Sequence, residues 1–347
     1  MSAARGLSPE LASAADVLVR DYMAVKPGET VLITADTASD KDAVEAIFSS
    51  ANLQGAQAGV FTTKQLPFQG TLADPYISKP LIGAIESCDV WIDLTFPYLA
   101  GSHAYDAAMK SQRIRYLLGG DMASDGLVRL FGKVDLDAYY DVHKGFDELV
   151  AAAMGKEVRI TDELGTDVTF KLAKPPYGKP RRGDKPGMYL VPGACTMFPE
   201  LESVRGEIHV TATFHEYYTR LPAPIVLTVD GKIRALSGGG NERSVMDRAL
   251  RRAAGGDYGY VIHFTHGVHP AARVTGRSFI EDMRATGNNA IGLGLPWWVE
   301  GGGENHPDAI VTMQSISIDG VQVVKDGAIV HPLALAQRWG ALQPLYR

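Results

Sequence analysis

The chain has 347 residues, 46% of them hydrophobic, and a formal net charge of −6, which allows two domains with cores of their own and is ordinary for a globular protein. Basic residues are scattered apart from Lys179-Pro180-Arg181-Arg182-Gly183-Asp184-Lys185, so nucleic-acid binding has no electrostatic footprint. No apolar run is long enough to span a membrane, and Met1-Ser2-Ala3-Ala4-Arg5-Gly6 opens no secretory signal, so the expected compartment is the cytoplasm.

Along the first part, helical and extended patterns alternate. Residues 11–23 have helical spacing, 30–36 read as a strand, 40–51 as a helix, 57–62 as a strand and 75–86 as a helix. Residues 89–95 are again strand-like, 104–111 helical and 115–119 strand-like. Strands separated by helices imply crossovers and a mostly parallel sheet covered on both faces. In such sheets functional groups gather beyond the carboxyl ends of strands, which directs interest to residues 36–39 and 95–103. There His103, in a Gly-Ser-His turn, is a candidate acid or base; the plainer reading is a helix start.

A long helical stretch, 136–154, precedes a change of texture. Residues 157–161, 166–171, 205–213 and 224–229 alternate with period two, as half-buried antiparallel strands do. Asp230-Gly231 and Asp319-Gly320 are hairpin signals, and Asn241 is placed to cap a helix over 241–254, the one convincing helix of this half. The expected fold class is α/β, with a doubly wound, mostly parallel N-terminal domain at 1–155. An α+β domain with an antiparallel or mixed sheet is expected at 156–347. The Pro/Gly-rich stretch 175–187 reads as a loop or lid.

Cys88 and Cys195 are the two cysteines and lack CxxC spacing, which fits a reducing compartment and leaves nitrogen and oxygen ligands for any metal. The most informative segment is Gly301-Gly302-Gly303-Glu304-Asn305-His306-Pro307-Asp308. On extended backbone residues i and i+2 share a face, so His306 and Asp308 can bind one ion together, and the glycines permit a close approach. The alternative is a polar turn in which Asp308 merely caps backbone amides. About forty residues upstream, Tyr260-Val261-Ile262-His263-Phe264-Thr265-His266-Gly267-Val268-His269-Pro270 offers three more imidazoles. His263 and His266 point to opposite faces of an extended segment, so they do not share an ion. His263, read as the end of the strand, suits a rigid ligand, with a satisfied core histidine as its alternative. His266 and His269, read as turn residues, are placed to reach a substrate.

Two imidazoles and one carboxylate on one side of an ion form the facial triad of non-heme iron(II) oxygenases. His215-Glu216-Tyr217-Tyr218 offers imidazole or phenol contacts, against the alternative of sheet-edge aromatic packing. Arg273 and Arg277 can hold an anionic ring substituent or stand solvated at the surface. No GxSxG elbow is present, which disfavours a serine hydrolase.

Ile262-His263 through Pro270, then Gly287-Asn288-Asn289-Ala290-Ile291-Gly292-Leu293-Gly294, then His306-Pro307-Asp308, resembles the C-terminal domain of the thermophilic-type metallo-aminopeptidases. That family carries a dinuclear site with Glu where this chain has His263, His near Ala290 and Glu near Cys195. These departures remove ligands of a two-metal cluster and leave two imidazoles and one carboxylate. The altered set is similar to the 2,5-dihydroxypyridine 5,6-dioxygenase family, of the same fold. Its iron ligands are a His in a His-x-x-x-Gly-x-x-Pro turn, matched by His263, Gly267 and Pro270, and a His-x-Asp pair, matched by His306 and Asp308. The resemblance implies an iron(II)-dependent, ring-cleaving dioxygenase that takes dioxygen and a hydroxylated aromatic or N-heteroaromatic ring, with 2,5-dihydroxypyridine the leading candidate. It further implies His103 as acid or base and a homo-oligomer; on the same reading, His266, His269, Arg273, Arg277, Tyr217 and Tyr218 are the candidate ring contacts. A zinc- or cobalt-dependent aminopeptidase-like hydrolase is the runner-up.

Overall fold

The computed structural model describes residues 7–176, 182–299, 302 and 306–345. The chain divides into one compact unit of Met1–Leu136, Lys179–Pro192 and Pro344–Arg347, and a second of Asp137–Gly178 and Gly193–Gln343. The helix Leu136–Ala152 thus goes with the second unit, and a later segment returns to the first.

In the first unit β1 (Thr30–Asp36), β2 (Gln57–Thr63), β3 (Val90–Leu94) and β4 (Arg115–Leu118) run parallel in the order β2-β1-β3-β4. β3 and β4 are buried along their whole length, as β-branched and apolar strands covered on both faces should be. The loops at the carboxyl ends are held by carboxylates. Asp36 accepts the amides of Ala38, Ser39 and Phe96. Buried Asp93 accepts the hydroxyls of Thr34, Thr95 and Tyr116 and the amides of Thr95 and Leu99. Asp36, which the strand-end rule singles out, and Asp93 beside it are therefore committed to building the loops.

The chain then makes β5 (Glu157–Thr161) and β6 (Asp167–Ala173) of the second unit and returns as β7 (Gly187–Leu190), parallel to β4 and completing a five-stranded sheet. Of the expected loop 175–187, residues 177–181 lie outside the described residues, and its last residue already opens β7.

The second unit adds β8 (Ala194–Pro199), β9 (Arg205–Phe214), β10 (Tyr218–Asp230), β11 (Lys232–Gly238), β12 (Tyr260–Gly267), β13 (Asn289–Gly294) and β14 (Asp308–Val311). β15 (Ser315–Ile318), β16 (Val321–Lys325) and β17 (Ala328–Ile329) finish it. The order is β11-β10-β9-β14-β13-β12-β8-β6-β5-β15-β16-β17, and a further pairing of β6 with β9 closes the strands from β9 to β6 into a ring. Phe264 of β12 stacks on Phe170 of β6 across that ring, centroids 4.6 Å apart. Alternation therefore puts Phe264 and His266 on the inner face and His263 and Thr265 on the outer one.

Both Asp-Gly turns connect strands as expected, and Asp319 and Gly320 both have positive φ, 53° and 77°, as a type I′ turn requires. Other expectations need correction. Asn241 has helical backbone and makes no side-chain cap to the helix Glu242–Ala253. Two further helices, Phe279–Asp282 and Leu333–Ala341, also belong to this half. β12 continues to Gly267, so His263 lies mid-strand and His266 is still within the strand. Among the described residues no helix is long and apolar enough to cross a membrane.

Candidate metal centre

Sheet register assembles the site. His263 of β12 pairs with Gly292 of β13, Gly292 pairs with Asp308 of β14, and Asp308 pairs with Phe214 of β9. Cross-strand partners share a face, so His263 and Asp308 flank a residue with no side chain. A Cβ at position 292 would stand 2.4 Å from His263 Nε2, and the imidazole reaches toward Asp308 through the space that glycine leaves. His306, two residues before Asp308, turns to the same side.

His263 Nε2 lies 3.6 Å from Asp308 Oδ1, and His306 Nε2 lies 3.8 Å from Asp308 Oδ2. One ligand atom from each of the three residues falls within 4.8 Å of the other two. Among the described residues this is the only such group of three. The two separations exceed the hydrogen-bond range of about 2.7–3.2 Å. Two donors each about 2.1 Å from a shared ion stand about 3.0 Å apart at right angles and about 4.2 Å apart when opposed. Spacing and a nitrogen, nitrogen, oxygen donor set both fit one small divalent cation.

His263 is oriented from behind. Its Nδ1 is 3.1 Å from Thr265 Oγ1, which is 3.1 Å from Thr196 Oγ1 on β8, so Nε2 is the nitrogen left to face Asp308. Aromatic rings wall the cluster. Trp297 stacks on His306 at 5.5 Å and 27°, Phe198 stands 6.4 Å from His263, and Trp298 packs edge-on against both Phe198 and Trp297. Sequence reasoning missed Thr196, Thr265, Phe198, Trp297 and Trp298. The available signals were Thr265 two places after His263 on a strand, and glycines 292 and 294 alternating in the run Ala290-Ile291-Gly292-Leu293-Gly294, a mark of close approach.

The other candidates fall elsewhere. His266 is fully buried on the inner face, and burial pushes its pKa down to about 4 against a weaker opposing contact with the Gly327 backbone; it does not join His263. Buried His269 accepts the Ala271 and Ala272 amides at Nδ1, as a turn-building residue does. Arg273 and Arg277 are exposed. Tyr217 donates to Glu242, and Tyr218 donates to Asp282. Glu304 and Asn305 lie outside the described residues. His103, in the first unit, opens the helix His103–Lys110 after the N-cap Ser102. Its side chain is 79% exposed and its Nδ1 is 2.9 Å from Asp74 Oδ2, so it is both a helix start and an accessible imidazole held by a carboxylate.

A parallel α/β unit joined to a ring-forming antiparallel unit that carries a two-histidine, one-carboxylate cluster defines the class: an aminopeptidase-like fold with three residues that could hold a metal ion. Within that class the chain belongs to the 2,5-dihydroxypyridine 5,6-dioxygenase family, whose model matches residues 18–331, and so to the ring-cleaving dioxygenases. The fold is shared with 2,5-dihydroxypyridine dioxygenase from Pseudomonas putida KT2440, at TM-score 0.72 and 20% identity over 93% of this chain and 97% of that one. It is also shared with wild-type AmpT from Thermus thermophilus, at TM-score 0.65 and 14% identity over 94% of this chain and 100% of that one. No curated protein matches the sequence.

Proposed function

We propose that the chain is an iron(II)-dependent dioxygenase that opens a hydroxylated N-heteroaromatic ring, 2,5-dihydroxypyridine in the first instance, and that His263, His306 and Asp308 hold the iron. The observation that carries this reading is the convergence of those three side chains, in a chain of this family, at a spacing that suits one shared ion. When bound, iron(II) supplies adjacent open positions at which a ring oxygen and dioxygen are brought together.

The chain's own residues have definable tasks in that reaction. With one carboxylate among three ligands, the protein leaves a divalent ion net positive, which favours an ionised ring oxygen over a neutral one. Thr265 orients the ring of His263, and with Nε2 on the ion the Nδ1–H would donate to the Thr265 hydroxyl. Phe198, Trp297 and Trp298 offer aromatic faces and edges to a planar ring. His103 is the proposed acid–base group, since Asp74 engages Nδ1 and leaves Nε2 to exchange a proton.

A two-metal hydrolase is the weaker reading. The positions that would complete a second site, Cys195 and Ala290, carry neither carboxylate nor imidazole, and Cys195 pairs with His266 on the inner face. The deciding experiment adds 2,5-dihydroxypyridine to anaerobically iron-loaded protein and follows oxygen uptake and loss of ring absorbance. One dioxygen consumed per ring opened is expected. Peptide hydrolysis with zinc or cobalt, without oxygen uptake, would establish the hydrolase instead.

A further inference from the structure

The three-residue hairpin His215-Glu216-Tyr217 joins β9 to β10, with Phe214 paired to Tyr218. Phe214 also pairs with Asp308. Paired Cα atoms are about 5 Å apart and consecutive ones about 3.8 Å, so the Cα of His215 lies within about 9 Å of that of Asp308. The helix Glu242–Ala253 reaches the same place. A Cβ at Gly294 would stand 3.1 Å from Ala253 Cβ and 3.9 Å from His306 Cβ, while Arg252 pairs with Glu216 of the hairpin at 2.8 Å. Hairpin tip, helix end and the His306-Asp308 pair therefore meet on one side of the sheet.

His215 is 5% exposed there. Its Nδ1 accepts the Glu216 amide at 2.7 Å, which puts the proton of the neutral ring on Nε2. Burial pushes its pKa down to about 4, so the ring is neutral at neutral pH. Nε2 is buried and, among the described residues, has no hydrogen-bond partner. Among the described residues, the two nearby carboxylates are engaged elsewhere: Glu216 by Arg252 and Arg248, and Glu242 by the phenol of Tyr217, whose ring stands edge-on to His215 at 5.2 Å. A buried N–H fixed in one tautomer and left without an acceptor is costly in a folded protein unless something else supplies the acceptor.

We propose that His215 is a substrate-binding residue whose Nε2–H donates to the ring oxygen directed away from the three-ligand cluster, in its carbonyl or ionised form. This rests on the dioxygenase reading of the site and narrows it to rings with two oxygens on opposite sides. A donor-only group donates to a pyridone carbonyl or a phenolate and gains nothing from a C–H in the same position.

The test is anaerobic calorimetry on iron-loaded protein with 2,5-dihydroxypyridine, 2-hydroxypyridine and 3-hydroxypyridine. Wild-type protein is expected to favour the dihydroxy ring over either monohydroxy ring by about tenfold, the size of one good hydrogen bond. In His215→Leu that preference should largely vanish while monohydroxy affinities and iron content hold; His215→Gln, with an amide NH2 near the Nε2 position, should keep most of it. An undiminished preference in His215→Leu, or an equal loss for all three rings, overturns the proposal. Should His215→Leu not fold, His215→Asn, too short to reach, takes its place and must lose the preference that His215→Gln keeps. Wild-type protein that binds none of the rings defeats the functional reading, and the proposal with it, in an arm that needs no variant.

Discussion

His263 can reach Asp308 only because residue 292 has no side chain. Its backbone needs nothing special from glycine; what it needs is the space, since a Cβ would stand 2.4 Å from His263 Nε2 and 2.6 Å from Cδ2. The imidazole is tethered to Thr265 from behind and cannot retreat without losing that bond. Gly292→Ala is therefore expected to lower iron affinity by about 10–100-fold, the usual effect of disturbing a ligand's support, and to cost about 1–3 kcal/mol of stability by overpacking. Iron titration and urea unfolding of the variant check both numbers. Wild-type iron affinity in Gly292→Ala would mean that His263 is not a ligand in the pose seen here.

At the scale of elements, the sequence is legible wherever a local rule acts. The strands of the parallel sheet follow from apolar runs between helices, and the Asp-Gly turns follow from their need for positive φ. The His-x-Asp pair follows from period two. What fails is whatever depends on partners distant in sequence. β7 is a four-residue strand beyond a Pro-rich stretch, and only the waiting edge of β4 makes it a strand. The turn histidines looked free to reach a substrate because Gly267 and Pro270 suggest an early strand end; pairing of β12 with β8 and β13 carries the strand through His266. The aromatic wall was illegible for the same reason: Phe198 comes from β8 and Trp297 from the segment after β13, and nothing local joins them to His263. Tyr217 and Tyr218 were visible as a pair, but not that Glu242 and Asp282 engage their phenols.

For the molecule as a whole, the ring of strands in the second unit sets a pH limit through His266. Its folded pKa is held down to about 4 from 6.5 by burial, so the unfolded chain takes up a proton there that the folded one refuses. The contribution is complete above about pH 6.5 and declines as pH falls toward about 4. Between pH 7.5 and pH 5 it amounts to a loss of about 2 kcal/mol, measurable by urea unfolding of the metal-free protein. His266→Phe should show a correspondingly flatter profile, and an identical pH dependence in the two proteins would show that this imidazole is not responsible.

The outer face of the same ring carries the central claim, that one ion is shared by three side chains from β12 and the start of β14. Metal analysis after anaerobic reconstitution with iron(II) and removal of excess tests it most directly. One iron per chain is expected in the wild-type protein and essentially none in His306→Ala, with the variant still folded. Two ions per chain, or a folded His306→Ala that keeps its iron, would contradict it.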